Sequence, residues 1–240
     1  MSTAVRGAGR SRHRGGWRLA VMSAALGLTA CAGTPPPPDW QMNAKGSLER
    51  ATAAYLAGNG RLEAVEFARA RSDLARTGRP DLVARAELVR CATRVASLVI
   101  EDCPGFAALA QDASEADRAY ARFLAGTATA ADLPLLPPQH RGTALTPSPD
   151  LATLGDPLSR LVAAGVRLRR GAASPAVVRQ AIDSASSQGW SRPLLAWLKV
   201  ALQAADNAGD IAQADTLRRR IALVGGDGAD PVPPVPPASR

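Results

Sequence analysis

Aromatic side chains are scarce in these 240 residues, with four Trp, two Tyr and three Phe. Strand pairing draws on aromatic and β-branched residues, and here only short stretches cluster the latter, so a sheet-built fold is disfavoured. Histidine is rarer still, at two. A serine or cysteine hydrolase normally sets a histidine beside its nucleophile. The chain has no G-x-S-x-G elbow and no glycine-rich phosphate loop. A zinc site would have to be assembled from His140, carboxylates and a reduced cysteine, with no spacing that brings them together. After the first thirty residues there is no uninterrupted apolar run near 18 residues, so no spanning helix is expected. The sequence thus offers no catalytic, cofactor-binding or metal-ligating set.

The N-terminus is sharply ordered. Arg6, Arg10, Arg12, Arg14 and Arg18 are the only charges in residues 1–30. They precede an apolar run over 19–28, which as a helix would rise about 15 Å, about half a hydrocarbon core. A basic segment, a short apolar segment and small residues before a cut site make an export signal. Cutting after Ala30 removes five of the 29 basic residues and none of the 21 acidic ones, so the formal charge falls from +8 to +3. The basicity belongs mostly to the discarded segment, and the balance that remains gives no argument for nucleic acid.

Leu28-Thr29-Ala30-Cys31 resembles the lipobox of bacterial lipoproteins, in which a Leu, two small residues and a lipidated Cys follow the apolar run. The resemblance implies that Cys31 is the first mature residue. Its sulfur would carry diacylglycerol, and its new amine would be acylated. Ala32, where that family's inner-membrane members place Asp, implies the outer membrane with the protein facing the periplasm. Each buried methylene contributes about 0.8 kcal/mol, and two or more acyl chains anchor firmly where one does not.

Two cysteines remain, Cys91 and Cys103. In an oxidising compartment an even pair is a disulfide candidate. If the helix holding Cys91 ends near Leu98, residues 99–103 can fold back far enough to join them, at about 3.3 Å per extended residue. If it runs on to Asp102, the sulfurs lie too far apart to bond. Two buried thiols acting as small hydrophobes are the alternative.

Beyond Cys31, four prolines over 35–38 mark a semi-rigid tether within 31–43. An N-terminal helical region follows over 44–132. Its helices are expected at 44–57, with Leu48, Ala51, Thr52, Tyr55 and Leu56 inward, and at 61–76, with Leu62, Val65, Phe67 or Ala68, and Leu74 inward. A third helix, 81–98, shows a broad apolar face, and a fourth, 115–125, is capped by Ser114. The pattern lapses in a proline-rich connector, 133–155, that includes His140, which reads as a polar loop residue. Part of that connector is apolar enough to pack along the helices. Regular helices resume over 156–224 behind Asp156-Pro157 and Ser174-Pro175, each a cap followed by Pro at the first helical position. Residues 225–240 are mostly Gly, Pro, Asp and Val, the composition of a disordered tail.

Helix starts near 156, 175, 192 and 210 repeat at 35 and 36 residues for alternate helices. That period suggests an all-α chain of antiparallel hairpins stacked as a short solenoid. The last hairpin is similar to a tetratricopeptide unit: Ala208-Gly209-Asp210-Ile211 takes the turn, Ala214 the small packing position, and Leu217 and Ile221 the packing positions that follow. Glu101-Asp102 is the one acidic pair near an unusual turn, and it reads as a helix end. Arg167, Arg169 and Arg170, with Arg218, Arg219 and Arg220, read as solvated cations near helix C-termini. Trp197 reads as core, and Trp190 as half exposed. The expectation is a non-enzymatic, lipid-anchored scaffold that grips an envelope protein. The alternatives are a peptidoglycan-binding module and a wall hydrolase working through a carboxylate.

Overall fold

Ten α-helices and two 3-10 turns account for the regular structure in a computed structural model that describes residues 37–146 and 150–226. There is no strand among the described residues. The export segment, Cys31 and residues 227–240 of the tail lie outside them. The described residues from Pro38 onward belong to one compact unit.

The first helix, α1 (Asp39–Leu56), starts at the end of the four-proline run, five residues before the apolar period begins. Pro38 is extended and Asp39 places an acid in the first turn, where the helix dipole favours it. Helix α2 (Gly60–Ala75) follows a turn in which Gly58 adopts φ +87° and Asn59 caps the Leu62 N–H. Its inward face departs from the expected one. Leu62 and Val65 are exposed, whereas Glu63, Glu66, Phe67 and Ala70 are buried. The rotation is stabilised by paired charges. Glu63 accepts hydrogen bonds from Arg90 at 2.7 and 3.3 Å, and Glu66 accepts one from Arg50 of α1 at 2.9 Å. The Arg90 guanidinium also lies 4.5 Å over the Phe67 ring. A buried carboxylate is tolerated when it is paired and hydrogen-bonded.

Helix α3 (Pro80–Ala96) is the central element, touching α1 and α2 on one side and later helices on the others. It ends short of Leu98, which adopts φ +61°, and the chain turns back through Cys103, at φ +45°. The Cα atoms of Cys91 and Cys103 come within 5.4 Å and their sulfurs within bonding distance. Of the two geometries the sequence left open, this is the folded-back one. After the short α4 (Pro104–Ala107), Ser114 caps α5 (Glu115–Ala125) by accepting from the Asp117 N–H, as its position predicts.

The connector is structured where it is described. It holds the 3-10 turn Ala130–Leu135, the short α6 (Pro138–Arg141) and the 3-10 turn Leu151–Thr153. Leu136, Leu151 and Leu154 are buried in the main core. Four longer helices complete the fold: α7 (Pro157–Arg169), α8 (Pro175–Ser187), α9 (Ser191–Ala208) and α10 (Ile211–Val224). Asp156, Ser174 and Asp210 cap α7, α8 and α10 through side-chain oxygens, while α9 starts from Trp190 without such a bond. Each of these four helices packs on the next in chain order, and α7 also packs on α3.

The α3–α7 crossing depends on Gly165. A Cβ added there would stand 2.3 Å from the Val95 carbonyl oxygen, a backbone atom that cannot swing aside. Gly165→Ala is therefore expected to cost about 1–3 kcal/mol by overpacking. Gly142→Ala, with open space around its added Cβ, is the neutral control. Denaturant unfolding of both variants checks the difference; an unchanged midpoint for Gly165→Ala would contradict the crossing.

Candidate functional site

The C-terminal half of α9 has a surface that no other helix among the described residues covers. Helices α8 and α10 both pack on α9, and a groove of about 1150 Å³ runs between them. Its floor is small: Ala201, Ala204, Ala205 and Ala208 of α9, with Val200 at one edge. Val178 and Ile182 of α8 form one wall, and Leu217 of α10 forms the other. Hydrogen-bond donors stand along the rim, with Arg179, Lys199, Gln203, Asn207, Gln213 and Arg220 set against the acids Asp183 and Asp210. Asp210 is already engaged, since its carboxylate accepts from the Gln213 N–H at 3.0 Å. An apolar floor with a donor-rich rim can hold a peptide segment that brings apolar side chains and carbonyl oxygens.

Two further hollows are smaller. One of about 380 Å³ lies between α1 and α2, where Arg50 and Arg69 are both drawn onto Glu66. Another, of about 390 Å³, is bordered by Tyr120, Leu135, Pro137 and Pro138, with Asp117 held by Arg85 through two 3.1 Å hydrogen bonds. Among the described residues no group of three His, Cys, Asp or Glu side chains could hold a metal ion, and no helix is long and apolar enough to cross a membrane.

Glu101 and Asp102 do not act as a pair, because Arg94 binds Glu101 at 3.2 Å and Arg169 binds Asp102 at 2.6 Å. Of the arginines at the end of α7, Arg170 is exposed, as expected of a solvated cation, but Arg167 is not and Arg169 is half-buried. Arg167 is buried and donates to the Thr143 carbonyl, Arg170 donates to the Ala144 carbonyl, and Arg169 to that of Glu101. They fasten two loops whose carbonyls have no helical partner. Arg218 pairs with Asp206 and Asp215 on the surface, and Arg220 faces the groove. Trp197 is fully buried and donates its indole N–H to the Ala96 carbonyl at 3.1 Å, so it is core as expected. Trp190 is half-buried.

His140 is not a polar loop residue. It is 1% exposed, with its ring centroid 4.8 Å from that of Phe123 and 5.9 Å from that of Tyr120. Its Nδ1 is buried and has no hydrogen-bond partner among the described residues. Burial pushes its pKa down to about 4, against a smaller opposing pull from the Asp156 carboxylate. Burial also raises the Tyr120 phenol. The neutral ring serves as an aromatic core residue, a role that its proline-rich neighbourhood did not signal.

Two measurements follow from these placements. The unfolded chain protonates His140 near pH 6.5 while the folded chain resists until about 4. Stability should therefore be full above pH 6.5 and fall by up to about 3 kcal/mol between pH 6.5 and 4. Arg122 holds Asp132 at about 2, so loss of that pair belongs to lower pH. His140→Phe should remove the slope between pH 7 and 4.5 in urea midpoints, and an equal slope in both proteins would refute it. For the cysteines, alkylating the denatured, unreduced protein should leave Cys91 and Cys103 unmodified by mass; modification of both would mean free thiols.

Comparison with protein families, with characterised proteins and with solved structures finds no match for this chain.

Proposed function

We propose that the mature protein is a non-enzymatic lipoprotein of the outer membrane, anchored through acylated Cys31 and facing the periplasm, where it grips a segment of an envelope protein. The observation that carries this reading is the groove over α9. It is long, floored by alanines and rimmed by donors, as a peptide-binding surface requires. The anchor rests on Leu28-Thr29-Ala30-Cys31 at the end of the apolar run.

Within the all-helical fold, the second half reads as two tetratricopeptide-like hairpins. Pro157 to Ser191 and Pro175 to Ile211 repeat at 34 and 36 residues. Ala214, 1% exposed, is the small residue that lets α10 approach α9. Hairpins that stack in this manner form extended surfaces suited to partner binding.

Ala204→Arg places a long cation on the exposed groove floor without touching the core. Pull-downs from crosslinked envelopes should recover a stoichiometric protein with the native chain and lose most of it with Ala204→Arg. Recovery of muropeptide without such a protein would favour the wall-binding alternative and overturn the reading. Cys31→Ala should leave the chain uncut or release it from membranes, and unchanged membrane association would remove the lipid anchor.

A further inference from the structure

Helix α2 packs on α1 and α3, and the side turned away from them is made of cations and apolar residues. Arg61, Arg69 and Arg71 are exposed, with Arg76 at the helix end. The acids of the helix are not: Glu63 and Glu66 are buried and Asp73 is half-buried. Leu62, Val65, Arg69, Ser72 and Arg76 recur at three and four residues, so they share one face, on which Leu62 and Val65 are 44% and 45% exposed. We infer that this face is a membrane-surface site, which docks on a bilayer carrying anionic phospholipid. It rests neither on the groove over α9 nor on the anchor at Cys31.

Charge segregation is the first argument. The acids of α2 turn inward, where Glu63 meets Arg90 and Glu66 meets Arg50, and cations are left outside. Arg69, Arg71 and Arg76 each reach one carboxylate, of Glu66, Glu87 and Asp73, yet each side chain stays more than half exposed. A guanidinium has five donors in a plane, and one carboxylate takes two of them in a bidentate pair. The carboxylate therefore holds the fork in place and leaves donors over, and phosphate oxygens are acceptors that match it. Arg61 has no ion-pair partner among the described residues. In the flanking segments Glu49 pairs with Lys45 and Asp81 with Arg79, which leaves Asp39 at the start of α1 as the acid without a cation.

The apolar residues decide the kind of surface. A protein partner is usually held by aromatic or arginine anchors in a desolvated pocket, where Leu and Val are under-represented. Leu62 and Val65 instead project from the convex side of a helix. An amphipathic helix lying in the plane of a bilayer puts such side chains at the acyl boundary and its arginines at the level of the headgroups. Met42 of α1, also exposed, borders a hollow with Arg69 and Ser72 and extends the apolar surface at the far end of α2. So few apolar side chains hold a bilayer only weakly, whereas each arginine near an anionic surface strengthens binding about fivefold. Docking should therefore need anionic lipid and weaken with salt.

The test mixes residues 32–240 with phosphatidylcholine vesicles, with and without phosphatidylglycerol, and sediments the vesicles. That chain keeps every described residue and lacks both Cys31 and the arginines of 1–30, so neither an acyl group nor the export segment contributes. The protein should sediment with the phosphatidylglycerol vesicles, stay in solution with phosphatidylcholine alone, and be released by salt. Arg61→Glu with Val65→Ser should lower the partition coefficient by about tenfold or more. Arg61→Lys with Val65→Ile should leave it within about twofold. Arg219→Glu with Leu223→Ser makes the same kind of change at exposed positions of α10 and should also leave it within about twofold. Equal loss from the α2 and α10 variants, equal binding to both vesicles, or no binding by a protein of native helical content would each overturn the inference. So would capture of one protein, with no lipid adduct, by p-benzoylphenylalanine placed at Val65 in intact envelopes, which would give the face to an acidic protein instead.

Discussion

The C-terminal end of α3 is where the molecule is fastened together. Gly165 lets α7 approach until only a hydrogen fits over the Val95 carbonyl, and Trp197 of α9 reaches back 101 residues to bond the next carbonyl, that of Ala96. A helix end leaves carbonyls without intrahelical partners, and burying them unpaired is costly. The fold meets that requirement with a side chain from the far half of the sequence. The C-terminal helices are thereby joined to the same core as the N-terminal ones.

Arginine does much of the remaining joining. In α2 and α3 it neutralises carboxylates turned inward. At the end of α7 it serves backbone carbonyls of the connecting loops. At the start of α9, Arg192 donates to the Tyr55 and Gly58 carbonyls and lies 4.6 Å over the Tyr55 ring. A guanidinium carries five donors in a plane and an apolar face, so one side chain can bind a carbonyl and cover an aromatic at once. With so few aromatics available, these stacks replace contacts that larger rings would otherwise supply. The charged residues that look like surface in the sequence are therefore partly structural. The groove over α9 stands apart because its cations face open space at the rim of an alanine floor.

Periodicity and capping determined where the later helices begin and that the described part of the chain is all-helical. Asp156-Pro157, Ser174-Pro175 and Ser114 are local signals, read from a few neighbouring residues, and each starts a helix where it predicts one. The side of α2 that turns inward could not be read from period alone. Leu62 and Val65 had the right spacing, but Glu63 and Glu66 meet arginines of α1 and α3, and paired charge overrode apolar spacing. His140 and Arg167 were misread for the same reason: their partners, Phe123, Tyr120 and the Thr143 carbonyl, come from other elements. The alanines of α9 gave no sign of a groove, because its walls belong to α8 and α10. Cap chemistry and apolar period act over a few residues and are written in the sequence; the inward face, the buried histidine and the groove depend on which distant side chains arrive beside them, and only the tertiary structure decides that.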